Sequence, residues 1–164
     1  MKHLQPRVKR TRHGDFRLQL PSAERNVLRS LPSQLRSLLG TGDPALERLF
    51  PPAYADDPLA QADYRELTHQ DLLSRKLTSI EMMERTIDAD RLDEEQLVAW
   101  LGAINDLRLV LGSRLDVTEE MYGKEMPDDD PRAPTYALYA YLGWLEQQVV
   151  EALAQGIDPR GVDS

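Results

Sequence analysis

A mainly α, single-domain helical bundle carrying one small N-terminal β-hairpin is the fold class that the sequence predicts. Two patterns carry the expectation. Residues 7–20 alternate in polarity around a glycine turn, and from residue 21 onward apolar residues recur at helical spacing between proline, aspartate and glycine punctuation. A length of 164 residues suits one domain, and 41% hydrophobic with 29% charged residues is globular composition. The expected units are a basic hairpin over residues 1–20 packed on the body, a helical domain over 21–156 and a frayed tail over 157–164.

In the hairpin, Val8, Arg10 and Arg12 alternate with Lys9 and Thr11. After the turn, Phe16, Leu18 and Leu20 alternate with Arg17 and Gln19. His13-Gly14-Asp15 supplies the turn, because Gly14 tolerates the positive φ that a tight hairpin requires. A lone hairpin is marginal, so its Phe16/Leu18/Leu20 face must pack on helices.

Ser22 is the expected N-cap of the first helix, whose stripe is Leu28, Leu31, Leu35, Leu38 and Leu39. Pro32 should kink or split it, and Gly40 should stop it. Asp43-Pro44 starts a short helix to about Leu49, and Asp57-Pro58 starts a longer one to about Ile87, as one helix or two. Asp93 and Gln96 form a capping box, with Leu92 stapling against Leu97. The helix they open runs to about Ser113 and is apolar all round, the mark of a central buried helix. Thr118 is placed as the cap of a short turn, and Asp128–Pro131 as a solvated loop. A last helix begins at Pro134 or Thr135 and ends at Gly156.

Charge is uneven. The formal charge is −8, yet residues 1–20 carry +5 and the remainder −13. A basic arm on an acidic body suggests an acidic partner, and it opposes nucleic acid lying broadly across the domain. The alternative is that strand-edge cations simply keep an edge unpaired. There is no cysteine, which excludes disulfides, thiolate metal sites and thiol nucleophiles. The apolar runs Leu97–Ile104 and Tyr136–Leu145 fall far short of the ~18 residues a membrane span needs, and no secretory signal follows the basic N-terminus.

Motifs with chemical potential lack their context. Gly40-Thr41-Gly42-Asp43-Pro44-Ala45 has the dinucleotide-loop spacing, but it follows a helix and Pro44 removes an amide donor. Glu66-Leu67-Thr68-His69 has the E-x-x-H spacing of di-iron bundles, without the second copy that chemistry needs. The acidic run Asp88, Asp90, Asp93, Glu94 and Glu95 lacks calcium-loop spacing and suits a helix start. Neither an enzyme, a metal site nor a cofactor is expected. Asn105, Asp106 and Arg108 interrupt the apolar helix, and burial of either charge alone would cost several kcal/mol, so each needs a partner. They are expected as a core-specifying polar network, with a ligand site as the alternative.

With these residues placed, the sequence resembles an actinobacterial family. It was first filed as a domain of unknown function, and its members are often named AosR-type oxidative-stress transcriptional regulators. The resemblance rests on Ala99-Trp100-Leu101-Gly102-Ala103-Ile104-Asn105-Asp106-Leu107-Arg108 and the Leu109–Leu115 continuation. It is supported by Asp43–Pro51, Asp57-Pro58, Tyr64-Arg65, Glu24 with Leu28–Leu31, and Tyr139–Leu153 with Trp144. It implies a cytoplasmic regulator that contacts the transcription machinery through a sigma factor, without an active site. Lacking cysteine, this chain cannot sense oxidants through its own disulfide; Met82, Met83, Met121 and Met126 are chemically oxidisable but read as packing or surface positions.

Three functions are therefore weighed. In the first, Arg7, Lys9, Arg10, Arg12 and Arg17 engage an acidic protein surface such as a sigma factor or RNA polymerase. In the second, the same arm binds DNA directly, although no basic recognition helix is visible. In the third, Asn105, Asp106 and Arg108 line a small-molecule pocket.

Overall fold

A computed structural model of the chain describes residues 5–41, 46, 49–50, 58–115 and 129–155, with the backbone alone over 58–66. Its elements are β1 (Val8–Arg10), β2 (Phe16–Leu18), α1 (Ser22–Leu39), α2 (Pro58–Arg85), β3 (Arg91–Leu92), α3 (Glu94–Leu115) and α4 (Ala133–Ala154). The short helix after Asp43-Pro44, the Asp57 and Thr118 caps, the first part of the Asp128 loop, the Gly156 stop and the 157–164 tail lie outside the described residues.

The hairpin forms as its alternation requires. Val8 pairs with Leu18, Lys9 with Arg17 and Arg10 with Phe16, and Gly14 turns the chain at φ 87°. Val8, Phe16, Leu18 and Leu20 are buried. The hairpin is not alone, however. Phe16 also pairs with Leu92 and Arg17 with Arg91, giving an antiparallel sheet in the order β1-β2-β3. The third strand makes β2 the central strand and lends the hairpin the support that two strands lack.

Local signals fare differently from helix to helix. The capping box before α3 closes in both directions: the Gln96 amide donates to Asp93 Oδ1 at 2.7 Å, and the Asp93 amide donates to Gln96 Oε1 at 2.9 Å. Ser22, by contrast, is not a cap. It is the first helical residue, Pro21 stands in the cap position, and no side chain bonds there. Nor does Pro32 split α1, which continues to Leu39 with the proline ring buried in the core. The helix stops at Gly40 without the left-handed conformation, and the Thr41 hydroxyl takes up the Leu38 carbonyl at 2.7 Å. α2 is one helix of 28 residues.

α3 lies between α2 and α4 and contributes Leu97, Trp100, Ile104, Leu107 and Val110 to the core. It is not apolar-buried on every side, since Val98 is about half exposed. At its centre the indole Nε1 of Trp100 donates to Thr86 Oγ1 at 2.7 Å, and that hydroxyl donates to the Met82 carbonyl at 2.6 Å. Thr86→Val leaves the buried indole donor without an acceptor, so denaturant unfolding should show a loss of about 1–3 kcal/mol. Along the other flank, Arg25 donates to the Ile87 and Ala89 carbonyls, Arg29 pairs with Asp88 and Arg36 with Glu84. These three arginines tie α1 to the end of α2 and the connection leading to β3.

Candidate interaction surface

The five cations expected to make the contact, Arg7, Lys9, Arg10, Arg12 and Arg17, have three different fates. Arg7 is buried, at 8% exposure, and is not available as a rim contact. Its guanidinium donates through Nε and Nη2 to the two oxygens of Glu24 on α1, at 2.9 and 2.7 Å, and lies 4.9 Å over the Trp144 ring on α4. The Tyr141 hydroxyl donates to the same Glu24 at 2.8 Å, and the Arg7 amide donates to Gln148. The fork-on-fork pair holds Glu24 below the ordinary carboxylate range, chiefly through the Arg7 hydrogen bonds. Burial, followed by the adjacent carboxylate, pushes the Tyr141 phenol up. Arg7 is thus a fastener joining the arm to α1 and α4, and not a surface cation, because its partners Glu24, Gln148 and Trp144 lie on those two helices.

Arg10 turns toward the core side of the sheet and covers the Phe16 ring at 5.6 Å. Lys9, Arg12 and Arg17 are exposed. The register sets Lys9 opposite Arg17, and Arg17 opposite Arg91 of β3, so three cations cross the outer face of the sheet in one row. Arg91 was not anticipated, because a two-residue strand is too short to show an alternating pattern. Asp15 lies 3.7 Å from Arg91 at the rim, and its carboxyl accepts from Thr11.

Like charges directly opposite each other in a sheet are destabilising, by roughly 0.2–1 kcal/mol per pair. Arg17 has one such neighbour on each side. Arg17→Thr, which keeps strand propensity and relieves both pairs, should therefore raise stability by about 0.4–2 kcal/mol in urea unfolding.

The polar residues of α3 do not form one network. Asp106, 5% exposed, accepts from Lys76 Nζ of α2 at 3.0 Å. Burial raises its carboxyl above the ordinary range, against the pull of Lys76. Arg108 faces α4, where it meets Glu146 at 3.4 Å and covers the Tyr139 ring at 5.1 Å. Its buried Nε has no acceptor and lies 3.0 Å from where a Cβ on Gly143 would stand, so the glycine gives the guanidinium room. Asn105 is half-buried. Asp106 and Arg108 therefore tie α3 to different neighbours and do not serve one another.

A cleft of about 480 Å³ opens elsewhere, between the N-terminal halves of α1 and α4. Its lining is Ala23, Glu24, Val27, Pro134, Ala137, Leu138 and Tyr141, and none of Asn105, Asp106 or Arg108 reaches it. Its polar groups, Glu24 and Tyr141, are already engaged with each other and with Arg7. The dinucleotide-like loop does follow a helix, α1, and its Gly42–Ala45 part lies outside the described residues. His69 of the E-x-x-H stacks on Phe50 at 4.2 Å. Among the described residues no group of three or more ligating side chains could hold a metal, and no helix is long and apolar enough to cross a membrane.

Residues 5–153 match the family model described as "Domain of unknown function (DUF2017)". The chain belongs to this family. The match spans the sheet and all four described helices, so Arg7, the basic row and the α3 charges all lie inside the family domain. Curated relatives include the "Oxidative stress regulator AosR" of Mycobacterium tuberculosis and of Mycobacterium bovis, each 31% identical over 131 residues, covering 68% of this chain and 59% of theirs. The "Putative oxidative stress regulator AosR" of Mycobacterium leprae is 31% identical over 129 residues, covering 68% of this chain and 58% of its own. The chain thus spans just under three fifths of the length of these relatives. No solved structure matches it.

Proposed function

We propose that this protein is a non-enzymatic regulator of the oxidative-stress response. It acts in the cytoplasm by protein–protein contact with the transcription machinery, through a sigma factor. The names of its relatives support the response, and the basic sheet face supports the mode of action. Residues 1–20 are the contacting module, held by Arg7 to the helical domain 21–156, and Lys9, Arg12 and Arg17 make the contact. The observation that carries this reading is the position of Arg17. Cations that merely protect a strand edge belong on edge strands, but Arg17 occupies the central one and opposes a cation on either side. Without cysteine the chain has no thiol of its own with which to sense an oxidant.

Direct DNA binding is less favoured by the charge distribution, since residues 21–164 carry −13 and would repel phosphates flanking the sheet. Affinity capture from nuclease-treated lysate tests the reading, comparing the wild type with a K9E/R12E/R17E variant shown to be folded. A sigma factor or RNA polymerase recovered by the wild type and lost by the variant is the expected result. Equal recovery by both, or recovery of neither, would reject it.

A further inference from the structure

Resting on that reading, we infer that the partner element seated on the sheet is an acidic α-helix lying across the strands, and that Arg91 is an equal member of the surface that holds it. The row Lys9–Arg17–Arg91 runs perpendicular to the strands, one cation from each. Adjacent strands lie about 4.7–4.9 Å apart, so the row spans roughly 10 Å. Carboxylates at positions i, i+4 and i+7 of a helix are neighbours at about 5–6 Å and together rise about 10.5 Å. The two stripes match in step and in length. An extended acidic segment laid along the strands would meet only one cation of the row.

The flanks of the row narrow the choice further. Asp15 reaches Arg91 only at 3.7 Å and both side chains are partly exposed, so this ion pair is weak enough to exchange for a partner carboxylate. The body beyond residue 20 is net acidic, which favours a compact anionic stripe over a long polyanion. The mutual repulsion of three aligned cations is relieved when carboxylates cover them, so part of the binding energy is already present in the free sheet.

The test uses two synthetic helical peptides of identical composition, titrated into the full chain by fluorescence anisotropy. One carries Glu at i, i+4 and i+7, and the other spreads the same residues around the helix. The striped peptide should bind about tenfold tighter, and Arg91→Thr and Arg17→Thr should each weaken it by about threefold. Arg75→Thr, on an exposed part of α2, should leave it unchanged. The melting temperature of R17T should rise by about 1–8 °C, so lost affinity will not reflect lost folding. Equal binding of the two peptides, or an inert Arg91→Thr, overturns the inference. The underlying reading fails separately: a wild type that prefers the striped peptide but captures no transcription protein keeps the surface and loses the regulator.

Discussion

Replacing Lys76 with methionine should cost about 3–5 kcal/mol at neutral pH, because it strands the buried Asp106 carboxylate without its counter-charge. The loss should be pH-dependent in a defined direction. Burial already raises the folded-state carboxyl of Asp106 above its unfolded value, and Lys76 is what opposes that rise. An acid of this kind binds more protons folded than unfolded, so stability falls as pH rises through the interval between the two values. In K76M the interval widens upward, and the variant should recover much of its deficit as the pH is lowered toward the acidic side of it. The double variant K76M/D106L, which replaces the pair with apolar volume, should return to within about 1 kcal/mol of the wild type or exceed it. Urea unfolding of the three proteins at several pH values checks all of this. An equal loss in K76M at every pH would mean that the lysine stem, not its charge, carries the effect.

Among the arm cations Arg7→Ala should be the most damaging substitution, at about 3 kcal/mol, since two charge-assisted hydrogen bonds and a cation–π contact go together. Its signature should be local. Hydrogen exchange over Val8–Leu18 should accelerate well before the helices open, because the Arg7–Glu24–Tyr141 cluster is what fastens the arm to α1 and α4. The pH signature is the reverse of that of Asp106. Glu24 is held below its unfolded value, so its contribution is fully present above the ordinary carboxylate range and is lost as pH falls through the depressed folded value. Arg7→Ala should reduce that acid-side loss, leaving only the smaller part that the Tyr141 hydrogen bond supports. Lys9→Ala, two residues along, should do neither, because its side chain is exposed on the outer face. A similar loss from both alanine variants would contradict the fastener.

Features coded by neighbours in sequence were the legible ones. The glycine turn, the hairpin alternation and the Asp93–Gln96 box each close within a few residues, so local chemistry decides them. The α1 start misled because Ser22 has the chemistry of a cap while the helix had already begun after Pro21. β3 is invisible for want of length, and with it Arg91 and the central position of Arg17. For Asp106 and Arg108 the sequence establishes that burial demands a partner. It cannot say that one partner stands 30 residues earlier on α2 and the other 38 residues later on α4. Arg7 shows the same limit from the other side. Beside Lys9, Arg10 and Arg12 it reads as one more surface cation, and only the packing of α1 and α4 against the arm separates it from them.

The most direct measurement is the affinity of the protein for a purified sigma factor and for duplex DNA, each followed from about 50 to 200 mM salt with the wild type and Arg17→Thr. The expected result is a complex with the sigma factor that R17T weakens severalfold at moderate salt, with no DNA complex under the same conditions. A DNA complex that falls steeply with salt and loses about one counterion in slope on R17T, with no sigma-factor complex, would contradict the protein-contact regulator and hand the basic sheet to nucleic acid.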